Sequence, residues 1–164
     1  MKSKSFAFIC LLVLAISSLP VFGQPSSFSG KWKLNRTKTT LQNSQLFLSE
    51  IKILQKNDSL ITTRVYENGN GETYPFNENL PLDGRECKIV IFNMPRTAKA
   101  TFSPSDGLIN FESATIFSGN NGADTLKIME MWKTEANGNM LTITSTTSYS
   151  AGTSMGIQYF DKTE

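Results

Sequence analysis

The 164-residue sequence contains no histidine and only two cysteines, Cys10 and Cys87. Absence of imidazole removes the base of every Ser-His-acid and Cys-His arrangement. It also removes the usual zinc and copper sites, which two thiols alone do not rebuild. No Gly-rich phosphate loop ending in lysine is present, and no cofactor is expected. Basic clusters are missing as well. The densest group, Lys31, Lys33, Arg36 and Lys38, reads as solvated strand and loop positions, so nucleic acid is not an expected partner. Helical spacing of apolar residues over a helix-length window is also lacking.

One catalytic pattern does occur. Gly152-Thr153-Ser154-Met155-Gly156 fits the Gly-x-Ser-x-Gly of hydrolase nucleophile elbows, yet it has no histidine to serve it, and its surroundings read as a hairpin. Asp83, Asp106 and Asp124 are explained as turn residues, and no inward pair of carboxylates can be placed for glycoside chemistry. The chain is expected not to be an enzyme.

The first 23 residues read as an export signal. Lys2 and Lys4 precede an apolar run from Phe6 to Leu14, and Val21-x-Gly23 suits signal-peptidase cleavage. The run is too short to span a bilayer, so no transmembrane segment is expected after cleavage, and the protein is expected to be periplasmic or secreted. Residues 24–164 then form one domain of 141 residues. Of sixteen basic residues two leave with the signal, and the fourteen that remain balance fourteen acidic ones. A neutral domain gives little attraction to an anionic membrane surface. Cys87 is then alone, which excludes an internal disulfide. Its apolar run, Cys87 to Phe92, suggests a buried, inert thiol.

What the chain has in abundance is short apolar stretches between turn signals. Strands are expected at Gly30 to Asn35, Phe47 to Gln55, Ser59 to Glu67, Thr73 to Leu80, Glu86 to Phe92, Thr97 to Ser103, Leu108 to Phe117, Ala123 to Thr134, Asn139 to Tyr149 and Ser154 to Asp161. Between them lie Asn68-Gly69, Asp83-Gly84, Asp106-Gly107, Asn137-Gly138 and similar pairs, which reach the positive φ angles of tight hairpins. A long meander must close or leave exposed edges. The expected fold is therefore all-β, a single up-and-down antiparallel barrel of eight to ten strands. Thr37 to Leu46 is the one longer connection, a short helix or a lid loop at one mouth.

Phe28-Ser29-Gly30-Lys31-Trp32-Lys33-Leu34 resembles the first-strand motif shared by lipocalins and intracellular fatty-acid-binding proteins, the calycin superfamily. Together with Leu82-Asp83-Gly84, Glu130-x-Trp132, Gly138 to Ile143 and Tyr159-Phe160-Asp161-Lys162, it is similar to uncharacterised exported bacterial lipocalin-like domains, over essentially the whole domain. The resemblance implies a ligand-carrying barrel in which Gly30 and Trp32 form the closed base, with Lys162 of the last strand standing over the indole. A lysine lacks the planar guanidinium that stacks well there, and the Thr-Asp-Tyr motif of lipocalins is absent. The chain thus resembles the broader calycin-like architecture rather than the classical family.

Alternation along the eighth strand puts Leu126, Ile128, Glu130 and Trp132 on one face, and the lysines opposite mark it as the inner one. An inward carboxylate needs a partner. Arg64, in phase with Leu60, Thr62 and Tyr66, is a candidate. Arg64, Tyr66, Phe111, Ile128, Glu130 and Trp132 are the candidate ligand contacts, holding a small apolar or amphipathic molecule by its polar end. The alternative for Arg64 and Glu130 is a salt bridge at a barrel rim or exposure to solvent. Phe47, Tyr66, Phe92, Phe102, Phe111, Phe117, Trp132 and Tyr149 could line such a cavity or plug the core. If the barrel is filled, the alternative function is a protein-protein interaction module of the cell envelope. Asp58-Ser59-Leu60 and Asp124-Thr125-Leu126 also resemble the O-glycosylation acceptor pattern of exported proteins in some Gram-negative bacteria.

Overall fold

Gly30 shows how the chain closes on itself. Its φ of 145° lies where side chains are strained, and a Cβ there would stand 2.6 Å from Lys162 Cε and 2.7 Å from the Glu164 carbonyl oxygen. Only glycine lets the C-terminal tail lie against the first strand. Lys31 N donates to Glu164 O at 3.0 Å and Thr163 N to Lys31 O at 2.8 Å. The computed structural model describes residues 27–40, 46–119 and 122–164. The expected export signal and residues 41–45 of the expected short helix or lid loop at Thr37 to Leu46 lie outside them.

Ten strands follow in chain order: β1 Gly30–Leu34, β2 Leu46–Gln55, β3 Ser59–Asn68, β4 Thr73–Pro81, β5 Cys87–Ile91, β6 Met94–Ser103, β7 Leu108–Gly119, β8 Gly122–Thr134, β9 Met140–Tyr149 and β10 Gly152–Lys162. No helix occurs among the described residues. Successive strands pair antiparallel except β4 and β5, and β1 pairs β10, in one sheet ordered β4-β3-β2-β1-β10-β9-β8-β7-β6-β5. The expected all-β meander of ten antiparallel strands is thus present. Hydrogen bonding does not complete the barrel, because β4 and β5 form no ladder with each other and leave it nearly closed.

Other contacts span that seam. At one end the connector after β4 is stitched to β6 by Gly84 N to Ala100 O at 2.9 Å and Phe102 N to Leu82 O at 3.3 Å. At the other end Phe92 sets its ring edge against Tyr74, at 6.3 Å, and Phe76, at 5.9 Å. Phe92 and Asn93 form a two-residue turn with φ of 50° and 63°. Phenylalanine is a poor occupant of that region, so the β5–β6 hairpin lacks the usual Asn-Gly signal. For that reason the sequence places the start of the sixth strand at Thr97, whereas β6 begins at Met94. Pro95 fits there because it pairs only with Val90, and the β6–β7 register starts one residue later at Arg96 and Thr115.

The two halves of the interior differ. Phe28, Trp32, Ile51, Ile53, Leu60, Leu80, Ile109, Leu141, Ile143 and Phe160 fill the end where β1 starts and β10 finishes. Trp32 is wholly buried, its Nε1 donating to Phe28 O at 2.9 Å, with Lys162 Nζ 5.2 Å from the ring centre. Toward the other end, inward positions become accessible in step. Along β9 they run from buried Leu141 and Ile143 through half-buried Ser145 and Thr147 to exposed Tyr149. Along β10 they run from buried Phe160 through half-buried Gln158 and Gly156 to exposed Ser154. The barrel is a cup, packed in its lower half and open to solvent above.

Candidate functional site

The floor of the cup is ionic. Alternation along β3, β4, β6 and β8 turns Arg64, Glu78, Arg96 and Glu130 inward, in phase with Leu60, Leu80, Ala98 and Trp132. All four are buried, with exposures of 0%, 3%, 5% and 8% in that order. Arg64 Nη1 meets Glu130 Oε1 at 3.0 Å, and its Nε faces Glu78 Oε2 at 3.2 Å. Arg96 Nε meets the other oxygen of Glu78 at 2.9 Å, and its Nη1 donates to Thr115 Oγ1 at 3.2 Å. Glu130 is completed by Trp132 Nε1, which donates to Oε2 at 2.7 Å.

These pairs lace the barrel across its seam: Arg96 to Glu78 joins β6 to β4, and Arg64 to Glu130 joins β3 to β8. Aromatic rings support the cations. The Arg64 guanidinium lies 4.3 Å from the centre of Phe111 and 5.0 Å from that of Trp132, two rings that stack on each other. Arg96 lies 5.7 Å from Phe76, which stacks in turn on Tyr66. Burial alone would lower the Arg64 pKa, but the carboxylates of Glu130 and Glu78 outweigh it and raise it above the ordinary arginine value. Among the described residues Arg64 Nη2, Ser113 Oγ and Thr62 Oγ1 make no hydrogen bond, and Arg64 Nε and Glu78 Oε2 meet only as an ion pair.

The six candidate contacts fall in one region. Arg64, Glu130, Trp132 and Phe111 build the floor, whereas Ile128 and Tyr66 stand one step toward the mouth and are half-buried. Arg64 and Glu130 form their ion pair inside the barrel, as the inward placement expected, and not at the rim or in solvent as the alternative had it. The aromatic set divides. Phe111 and Trp132 are core, Phe102 packs against Phe28, and Phe117 faces inward near the mouth. Phe47 is buried and belongs to the core cluster. A bulge at Ser49 shifts the β2–β3 register beside it, and the Arg36 guanidinium lies 5.0 Å from its ring centre and reaches Glu67 at 2.7 Å. Ser154 lies within β10 paired to Thr147, so the Gly-x-Ser-x-Gly stretch is strand. Cys87 is half-buried against the core, and Ser59 and Thr125 both lie half-buried in strands.

Glu78 and Arg96 were not singled out from the sequence. Their signal is alternation: Phe76, Glu78 and Leu80 share a face, as do Arg96, Ala98 and Ala100.

Tyr66 offers a pH readout of this region. Its hydroxyl pKa is raised, first by burial and with help from Glu130, against opposing effects of Arg64 and Arg96. The stability this contributes is fully present below the ordinary tyrosine pKa of 10.0 and is lost as pH rises through the higher folded value. Tyr66→Phe is therefore expected to flatten the alkaline limb of a stability-against-pH profile. An unchanged limb would place the ionisation elsewhere.

No family model, curated protein or solved structure matches the chain. The nearly closed, all-strand barrel is compatible with the calycin-like fold that the Gly30-x-Trp32 motif resembles.

Proposed function

We propose that the protein is an exported, lipocalin-like carrier that holds a small apolar or amphipathic molecule in the upper half of its barrel. The observation that carries this reading is at Gly156. Its partner Ser145 also pairs with inward Glu130, yet a Cβ built on Gly156 meets only Ser145 Oγ, at 3.8 Å. A side chain there would find room inside the wall, and by register Tyr66, Phe76, Phe117, Leu126 and Ile128 face inward around it together with Ser145, Thr147 and Ser154. Apolar walls with a few convergent polar groups are what small-ligand sites require. A surface hollow of about 620 Å³ lies beside the β3–β4 turn, bordered by Leu46, Asn68, Tyr74 and Phe92.

Gly156 is not in a left-handed conformation, so a side chain fits the backbone there. Gly156→Phe is expected to abolish binding of an uncharged environment-sensitive dye such as Nile red while leaving the melting temperature nearly unchanged. Wild-type dye binding that survives the substitution would remove the cup as the site. The rival reading, an interaction module, draws on the outer wall, where Val90, Ile116 and Met129 are 70%, 48% and 54% exposed. A wild-type protein that binds no dye would favour it.

A further inference from the structure

Resting on the carrier reading, we propose that the ligand's polar end is uncharged and oxygen-bearing, as in a fatty alcohol or a monoacylglycerol, and that it docks on Arg64 and Ser113 with its tail toward the mouth. The floor holds two guanidiniums and two carboxylates, so its charges already cancel. Both carboxylates are engaged: Glu78 lies between Arg64 and Arg96, and Glu130 takes Arg64 Nη1 and the Trp132 indole N–H. A cationic head would find no carboxylate without a counter-ion. An anionic head would add a fifth charge to a buried and balanced set, and such a charge pays the full desolvation penalty without a cation left to offset it.

The unmet hydrogen-bonding capacity is of a different kind. Arg64 is fully buried, and among the described residues its Nη2 makes no hydrogen bond, with the Tyr66 hydroxyl its polar neighbour toward the mouth. Ser113 Oγ is also buried without a partner, and it serves as donor or acceptor. Register places Ser113 opposite Ile128, one step mouthward of the Phe111 and Glu130 pair, so it borders the floor from above. A hydroxyl or ester oxygen accepts from Arg64 and exchanges a hydrogen bond with Ser113 without altering the charge balance. Mouthward of that level one wall is apolar or aromatic, with Ile128, Leu126, Phe117 and Tyr66 inward, while Thr147 and Ser154 face it from β9 and β10; the apolar wall orients the tail outward.

The test is calorimetric titration of the full chain at neutral pH with ligands sharing one saturated tail and differing only in the head: primary alcohol, 1-monoacylglycerol, carboxylate, alkyl sulfate and trimethylammonium. The two uncharged heads are expected to bind at least about tenfold more tightly than any charged one, a difference of about 1.4 kcal/mol. Ser113→Ala is expected to remove much of that advantage while leaving the charged heads unaffected. A carboxylate or sulfate that binds as tightly as the alcohol overturns the proposal and leaves the carrier reading standing. Failure of every head to bind overturns both. An alcohol that wins equally well in Ser113→Ala overturns the assignment of Ser113.

Discussion

Arg64→Ala is expected to destabilise the fold by about 3 to 5 kcal/mol, the usual consequence of removing one member of a buried ion pair. The loss comes less from the attraction given up than from what is left behind. Glu130 would keep only the Trp132 indole as a donor, and Glu78 only Arg96, both deep in the barrel. The same change removes a cation from the faces of Phe111 and Trp132. Chemical denaturation followed by far-UV circular dichroism measures the effect. The companion variant Arg64→Met with Glu130→Leu separates causes, because it removes both charges of that pair and fills the space with apolar atoms. It is expected to recover a substantial part of the loss. If the double variant is no better than Arg64→Ala, the penalty lies in packing and the ionic account of the floor is wrong. If Arg64→Ala itself is neutral, the guanidinium is not buried as described.

Trp32→Ala is the second large effect, with an expected loss of about 3 to 5 kcal/mol for truncating a fully buried indole. Trp32 sits where β1 pairs with both β2 and β10, opposite Ile51 and Lys162. Its removal would open a cavity at the closed end and leave the Phe28 carbonyl without the indole N–H. The tail from Lys162 to Glu164, held beside Gly30 and Lys31, is expected to loosen as well, which hydrogen exchange at Lys31 and Thr163 would register. A variant of wild-type stability would contradict the assignment of this end as the packed base.

Most of the strand pattern could be read from the sequence because the turns declare themselves. Asn137-Gly138 and Asp106-Gly107 mark their hairpins by chemistry, and the ends of β7, β8 and β9 fall close to the expected positions. The β5–β6 turn did not, since Phe92-Asn93 lies in the left-handed region against Tyr74 and Phe76 of the preceding strand β4, a contact the turn residues themselves do not announce. The bulge at Ser49 was hidden for a similar reason. It arises from the pairing of β2 with β3, and no local residue type announces it.

The site was half legible. Lysines opposite Glu130 fixed the inner face of β8, which made a cationic partner necessary and drew attention to Arg64. Glu78 and Arg96 required the next step, asking of every charged residue in phase with an apolar face what would neutralise it. Which residues pair is a long-range matter: Arg64 and Glu130 are 66 positions apart, and only the closing of the sheet brings them together. The seam between β4 and β5 was invisible to alternation, since both strands carry ordinary patterns and only the missing ladder distinguishes them.

The measurement that tests the carrier account most directly is native mass spectrometry of the protein purified from the cells that make it, with the organic extract of the same sample analysed in parallel. The account predicts a one-to-one complex that releases a small amphipathic molecule into the extract. Protein of bare-chain mass that also takes up nothing from a panel of uncharged and charged lipids would contradict it.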